Sequence, residues 1–245
     1  MDRILVIGAT SAIAQEAARC FAADGASFVL AGRNAARLEA VAADLRARGA
    51  ARVETFVLDV RDTARHAALV DAALAALGGI DAALLAHGVL PDPAAAEADP
   101  AVALDAFVVN VLSVFSLLTL LAAPMERQGH GCLTVIGSVA GDRVRRTNAV
   151  YGASKAAVEG LCSGLRARLW RSGVAVTLIK PGWVDTPMTA GMRKNRLFAS
   201  PQRVGRGVYR AMRRGRAVVY LPWFWRWILL VLRLLPESVF KRLRF

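Results

Sequence analysis

The sequence predicts a doubly wound α/β fold, a parallel sheet with helices on both faces, in a single domain. Three observations predict it. Short apolar, β-rich runs alternate with Ala-rich helical stretches through more than 200 of the 245 residues. The runs lack a clean in–out alternation, as expected of strands covered on both faces. Hydrophobic residues make up 56% of the chain against 21% charged, which suits one large core and excludes intrinsic disorder.

In order, Ile4-Leu5-Val6-Ile7 mark the first strand at 3–7, and an Ala-rich helix follows at 11–23. Further strands are expected at 27–31, 52–58, 81–86, 132–137 and 174–180, with a weaker one at 217–221. The helices between them fall at 35–48, 63–77, 98–128, 149–171 and 201–213. No repeat, low-complexity linker or internal domain boundary interrupts the pattern, so residues 1–221 read as the domain and 222–245 as an appended tail. The longest irregular stretch, 88–99, follows the fourth strand and should border a site at the carboxyl edge of the sheet.

Charge divides the chain unevenly. Net charge is +13, and only four of the 32 basic residues are Lys. Fourteen of the basic residues but one of the 19 acids, Glu237, lie in 193–245, leaving 18 of each sign before that point. A neutral body thus carries a strongly basic end. Cys20, Cys132 and Cys162 are too widely spaced for a C-x-x-C pair or a disulfide framework and read as small buried hydrophobes. His66, His87 and His130 share no metal-ligand spacing, and no metal is expected. Met1-Asp2-Arg3 leads into only four apolar residues, too few for a signal sequence, so the body is expected in the cytoplasm.

The first strand ends at Gly8 and continues through Ala9-Thr10-Ser11-Ala12-Ile13-Ala14 into a helix. Such a turn aims free N–H groups and the positive helix end at an anion, commonly a pyrophosphate. Ala12 and Ala14 stand where dinucleotide folds place further glycines, so a purely structural turn remains open. The second strand ends Leu30-Ala31-Gly32-Arg33-Asn34, without the acid that takes ribose hydroxyls in NAD-binding sheets. Arg33 could pair with a 2′-phosphate instead, which points to NADP(H), with NAD still possible; the alternative is a solvated Arg at a helix start. Asp59, before Val60, either faces the adenine or closes a local turn.

Tyr151-Gly152-Ala153-Ser154-Lys155 is the most specific feature. Four residues apart on a helix, the Lys155 ammonium can lie near the Tyr151 phenol and lower its pKa toward neutrality. Three Tyr and four Lys in this length give roughly 0.05 such pairs by chance. Ser138 follows the fifth strand, at the ligand-binding edge. Asn110 is a polar residue amid Phe107-Val108-Val109 and Val111-Leu112; a buried amide satisfied locally is the plain reading.

On these residues the sequence resembles the short-chain dehydrogenase/reductase family, from Ile4 to about Met188. Gly8, Asp59-Val60, Asn110, Ser138, Tyr151 with Lys155, and Pro181-Gly182 with Thr186 carry the likeness. The resemblance implies hydride transfer between a nicotinamide and a carbonyl or carbinol carbon. It implies Tyr151 as the proton donor or acceptor, Ser138 on the substrate carbonyl, Lys155 on the nicotinamide ribose, and Asn110 anchoring a relay water. It further places Gly8, Thr10, Ser11, Ala12, Ile13, Arg33, Asp59, Val60, Gly88, Pro181, Gly182 and Thr186 around the cofactor. Two departures stand out: Ala12 and Ala14 in the glycine loop, and Leu85-Ala86-His87-Gly88 where the family has Asn-Asn-Ala-Gly. His87 reads as a wall residue. Within the family, 141–146 (Gly-Asp-Arg-Val-Arg-Arg) and the tail are similar to the decaprenylphosphoryl-ribose epimerase reductase, which acts on a polyprenyl-phosphoryl 2-keto-pentose. That likeness offers Arg143, Arg145 or Arg146 to a substrate phosphate, or leaves them as solvated loop residues. A general apolar-ketone or 3-oxoacyl reductase, or a cofactor-binding membrane scaffold without catalysis, are the rivals.

The tail places three of the five Trp in 223–227, and Arg226 and Arg233 seven apart on one helix face. Only six apolar residues separate those arginines, too few to span a bilayer. Pro236 should end the helix, with Lys241, Arg242 and Arg244 beyond. Trp with Arg along one stripe fits a helix lying in a headgroup layer, at the inner face of the cell membrane; the alternative is packing on a second subunit of a homo-oligomer. Nucleic acid is not expected as a partner, because the aromatics sit among Leu and Ile rather than between basic residues.

Overall fold

The computed structural model describes residues 1–243. In chain order it builds β1 (Arg3–Ile7), α1 (Ala12–Ala23), β2 (Ser27–Gly32), α2 (Ala35–Ala47), β3 (Arg52–Val57), α3 (His66–Leu77) and β4 (Ala82–Leu85). Then come α4 (Pro93–Ala98), α5 (Pro100–Phe107), α6 (Ser113–Gln128), β5 (Gly131–Ile136), α7 (Ala149–Leu169), β6 (Val174–Pro181), α8 (Pro201–Arg213) and β7 (Val218–Leu221). The tail forms α9 (Trp225–Leu234) and a single turn, α10 (Glu237–Phe240).

The strands form one sheet in the order β3-β2-β1-β4-β5-β6-β7, every neighbouring pair parallel. The strand order reverses between β1 and β4, and a crevice opens there at the carboxyl ends. The β1, β2, β4, β5 and β6 side chains are buried nearly throughout, which explains the unbroken apolar runs. One core layer lies under α3, α6 and α7, built on Leu5, Leu117, Leu121, Leu133 and Val176. The other lies under α1, α2 and α8, built on Ile4, Phe21, Phe28, Leu38 and Met212.

The strand expectations match to within two residues at each end. The helix expected at 98–128 does not run unbroken. The Asp92 and Asp99 side chains accept from the N–H groups of Ala95 and Ala101, and Pro93 and Pro100 follow them, so α4 and α5 start separately. A π-helical turn, Val108–Leu112, then inserts an extra residue before α6. Asn110 sits in that turn, fully buried, with its amide bonded to Val89 and Ser154. In the tail, α9 stops before Pro236 as its ring demands. Arg244 lies outside the described residues.

Candidate active site

A cavity of about 990 Å³ opens along the carboxyl edge of the sheet. At one end the chain leaves β1 through Gly8. The Gly8 and Ala9 N–H groups both donate to Ala31 O (2.9 and 3.0 Å), and the Ser11 N–H donates back to Gly8 O (2.9 Å). Gly8 has φ +80°, and a Cβ there would stand 2.5 Å from the His87 backbone nitrogen. Only glycine lets the first turn lie this close to β4. Ser11 caps α1 without a side-chain hydrogen bond, so the first N–H groups of the helix face the cavity. Thr10, Ser11, Ala12 and Ile13 line it as well. The methyl of Ala12 forms wall without closing the crevice, and Ala14 turns away into the core.

Arg33, at the end of β2, is exposed and lines this end. Arg37 and Arg61 line it too, and neither was apparent from sequence spacing. Arg61 is bidentate on Asp105 (2.7 and 2.8 Å) and reaches Asp59. Asp59 is not among the lining residues: its Oδ1 accepts from the Arg61 N–H at 3.0 Å, the local-turn alternative. Leu58 and Val60 flank the cavity there. Arg61 is thus paired with two carboxylates, and Arg33 and Arg37 are the other cations lining this end.

At the other end Tyr151 stands beside the Ser138 side chain, which partly offsets the effect of burial on the phenol. Ser138 follows β5, and its Oγ also accepts from the Ala140 N–H at 3.1 Å, which fixes the rotamer. Lys155 is buried; its Nζ donates to Ile136 O at 3.1 Å and lies 5.7 Å from the centre of the Tyr151 ring. Helical spacing brings Tyr151 and Lys155, and the end of β5 brings Ser138, to the cavity, which Pro181, Gly182 and Thr186 also line. The expected direction of the phenol shift needs correcting. Burial pushes Tyr151 up, and Ser138 only partly opposes it. Burial likewise pushes Lys155 down, to about 8. Desolvation outweighs charge attraction because both groups lie away from water.

Asn110 is fully buried. Its amide donates to Val89 O (2.9 Å) and Ser154 Oγ (3.1 Å), and its Oδ1 accepts from the Val89 N–H (2.8 Å). Both amide hydrogens are thus used within the protein. The side chain pins the loop after β4 to α7 and sets Gly88, which lines the cavity, beside Lys155. His87 also lines the cavity. Ser113 Oγ donates to Val109 O (2.6 Å), so His87 must donate to Ser113 from Nε2 (2.8 Å), leaving Nδ1 unprotonated. Burial, with the Lys155 charge nearby, pushes His87 down to about 3, so the ring is a neutral wall.

Sequence reading missed a buried ion cluster. Lys180 donates to Asp142 (2.6 Å) and Glu159 (2.5 Å), and the Tyr220 hydroxyl donates to Asp142 (3.2 Å). This ties the loop after Ser138 to β6 and β7. A Lys inside an otherwise apolar strand was the available signal, since a buried ammonium demands carboxylate partners.

The neighbouring arginines separate. Arg145 lines the cavity, and burial lowers its pKa. Arg146 is exposed outside it. Arg143 is committed elsewhere, donating to Glu237 (2.7 Å) and to Arg233 O (3.3 Å) and stacking on Phe240 (4.2 Å). It clamps the tail to the active-site loop and is spent before any substrate phosphate arrives. The segment from Trp183 to Ala199 folds back on itself: the Ala199 N–H donates to Trp183 O and the Asp185 N–H to Ala199 O (both 2.9 Å). Met188 and Met192 project from it to the cavity. Above this, α9 lays Trp225 and Leu229 on Val139, Trp183 and Leu197 and roofs the substrate end.

Fold and site together define an oxidoreductase of the dinucleotide-binding α/β class. Residues 2–197 match the short chain dehydrogenase family, and the chain belongs to it. It is 44% identical over 240 residues to an uncharacterized oxidoreductase of Mycobacterium tuberculosis, covering 98% of this chain and 96% of that one. It is 36% identical over 241 residues to an uncharacterized oxidoreductase of Streptomyces coelicolor, covering 98% and 95%. Among solved structures, levodione reductase superposes with a TM-score of 0.81 at 24% identity, covering 89% of this chain and 94% of that one; the likeness is one of fold.

Proposed function

We propose that the chain is an NADP(H)-dependent reductase of an apolar or lipid-linked carbonyl, working at a membrane surface. The observation that carries the chemistry is the meeting of Tyr151, Ser138 and buried Lys155 along one cavity large enough for a dinucleotide and a second molecule. Bound nicotinamide dinucleotide supplies or accepts the hydride. Ser138 then hydrogen-bonds the substrate oxygen, and Tyr151 gives it a proton in reduction or takes one in oxidation. Lys155 holds the nicotinamide ribose and places a positive charge beside the developing alkoxide. Asn110 positions the loop that faces Lys155. The first turn of α1 takes the pyrophosphate, and Arg33, with Arg37 beside it, takes the 2′-phosphate; these two arginines favour NADP(H) over NAD.

The substrate end is apolar where Leu90, Trp183, Met188 and Met192 line it, with Arg145 as the cation there. That combination suits a long apolar molecule carrying one anionic group, such as the polyprenyl-phosphoryl keto-sugar suggested by the sequence, more than a small polar ketone. The basic, aromatic tail supports a place at the cytoplasmic face of the membrane. Leu104, Leu112 and Phe115 are exposed along α5 and α6 and suit burial against a second copy.

The test follows NADPH oxidation against keto-sugars on lipid carriers, simple apolar ketones and 3-oxoacyl thioesters. Turnover confined to the lipid-linked sugars supports the reading; turnover confined to the thioesters makes the chain a 3-oxoacyl reductase. Tyr151→Phe should abolish turnover while NADPH still binds. A variant that keeps substantial activity removes Tyr151 as the acid.

A further inference from the structure

A second cavity, of about 520 Å³, lies outside the active site, between the free edge of β7 and the outer face of α9. Its walls carry Arg216, Arg226 and Arg233 and no acid, with Trp223, Trp227 and Leu230 along the rim. The two indoles are 66% and 56% exposed, which is costly for rings of this size without a cover. Arg216 and Arg233 have no side-chain hydrogen bond or ion pair among the described residues, and Arg226 lies against the Trp227 ring (5.9 Å). The one acidic side chain of the tail, Glu237, is taken by Arg143. Three arginines lining one groove beside two exposed indoles offer an anion a seat next to an apolar surface.

We propose that this groove seats the phosphate of an anionic phospholipid, with Trp223 and Trp227 in the headgroup layer and the bilayer against the outer face of α9. The proposal deepens the membrane reading and rests on it. Charge decides the occupant: a second copy docked by two-fold symmetry would set this cationic patch against itself. The arrangement also gives α9 two working faces. Its inner side, through Trp225 and Leu229, roofs the substrate end of the active site. A lipid-linked carbonyl lying in the same bilayer would then have its reacting group beside the cavity mouth.

The test is co-sedimentation of the full chain with phosphatidylcholine vesicles and with equimolar phosphatidylcholine–phosphatidylglycerol vesicles. Each basic group at an anionic surface is worth about fivefold in affinity, so Arg216→Gln, Arg226→Gln and Arg233→Gln combined should weaken binding to the anionic vesicles by about a hundredfold. A control of equal charge, Arg203→Gln with Arg206→Gln and Arg210→Gln on the exposed side of α8, should lose less than tenfold. Thermal unfolding midpoints should match the parent in both. Equal losses in the two variants would replace the groove with diffuse charge and overturn the proposal. So would unchanged binding in the groove variant, and either result leaves the membrane reading intact. If the parent chain ignores both vesicles, the membrane reading itself fails. If it also self-associates, and the groove variant dissociates it, the occupant is a second copy.

Discussion

Gly182→Ala tests the contact between tail and active site most directly. Gly182 closes β6, and its N–H donates to Leu221 O at 3.0 Å. A Cβ there would stand 1.8 Å from Trp225 Nε1, where ordinary contact begins near 3.4 Å, so the indole must retreat by about 1.6 Å. Trp225 has little room to retreat: it is 6% exposed, edge-on to Trp183 at 5.5 Å and against Phe224 at 6.0 Å. Overpacking of this kind costs about 1–3 kcal/mol. Because α9 follows the last strand, the chain can relieve the clash by releasing that helix instead of unfolding the body. At about 2 kcal/mol, the released population rises roughly thirtyfold. Tryptic cleavage at Arg226 and Arg233 should accelerate by that factor, and tryptophan emission should shift to the red. With its roof loosened, the enzyme should show a higher KM for apolar carbonyls. A variant cut within twofold of the parental rate, with unchanged emission, would refute the packing argument.

Arg33→Ala should weaken NADPH binding about tenfold or more through loss of charge-assisted hydrogen bonds, with little effect on NADH; equal losses in titrations with both cofactors would remove the 2′-phosphate role. For carbonyl reduction, kcat/KM should be level below pH 8 and fall above it as Lys155, held at about 8, loses its proton while Tyr151, pushed up, keeps its own. Lys155→Arg should move that limb to higher pH, and a limb that stays in place assigns it to another group. Away from the site, burial pushes Asp81 up, but hydrogen bonds from Arg3 and from the backbone of Asp2 and Arg3 prevail and hold it at about 2. A carboxylate held low in the fold stabilises it above its unfolded pKa of about 4 and ceases to do so as pH falls through about 2. Asp81→Asn should therefore cost about 2 kcal/mol in denaturant unfolding at pH 7 and almost nothing at pH 2.

The strands were legible because a buried parallel sheet leaves a continuous apolar run, and the Tyr151–Lys155 pair was legible because helical spacing alone brings those residues together. Ser138 and Gly8 were legible from their places just after a strand. What stayed hidden depends on contacts far apart in sequence. The committed Arg143 could not be told from Arg145, two residues on, because its partners Glu237 and Phe240 lie nearly a hundred residues away. Arg37 and Arg61 joined Arg33 only when β2 and β3 were laid side by side. The π turn at Asn110 arises because its amide is drawn to Val89, not from any local propensity of Val108–Leu112. In the tail, periodicity placed Arg226 and Arg233 on one side of a helix, but only the fold set Trp225 against Gly182 on the other.

Sequence spacing alone suggested a phenol primed by an ammonium, and the geometry changes how that priming works. Burial raises Tyr151 and lowers Lys155, so desolvation favours the neutral form of each. A phenol held high retains its proton at neutral pH, as an acid must in reduction, but it also resists giving that proton up. Resistance in the resting state is no handicap if the groups that oppose it act on the transition state. Ser138 already opposes the effect of burial on the phenol, and the Lys155 ammonium, fixed by Ile136 O, is 5.7 Å from the ring centre. Unit charges about 6 Å apart attract by about 3 kcal/mol at an effective dielectric of 20. Little of that is available while the phenol is neutral, and it grows as negative charge reaches the phenol oxygen. The same burial that stabilises the resting acid therefore makes the fixed cation more effective when the proton leaves.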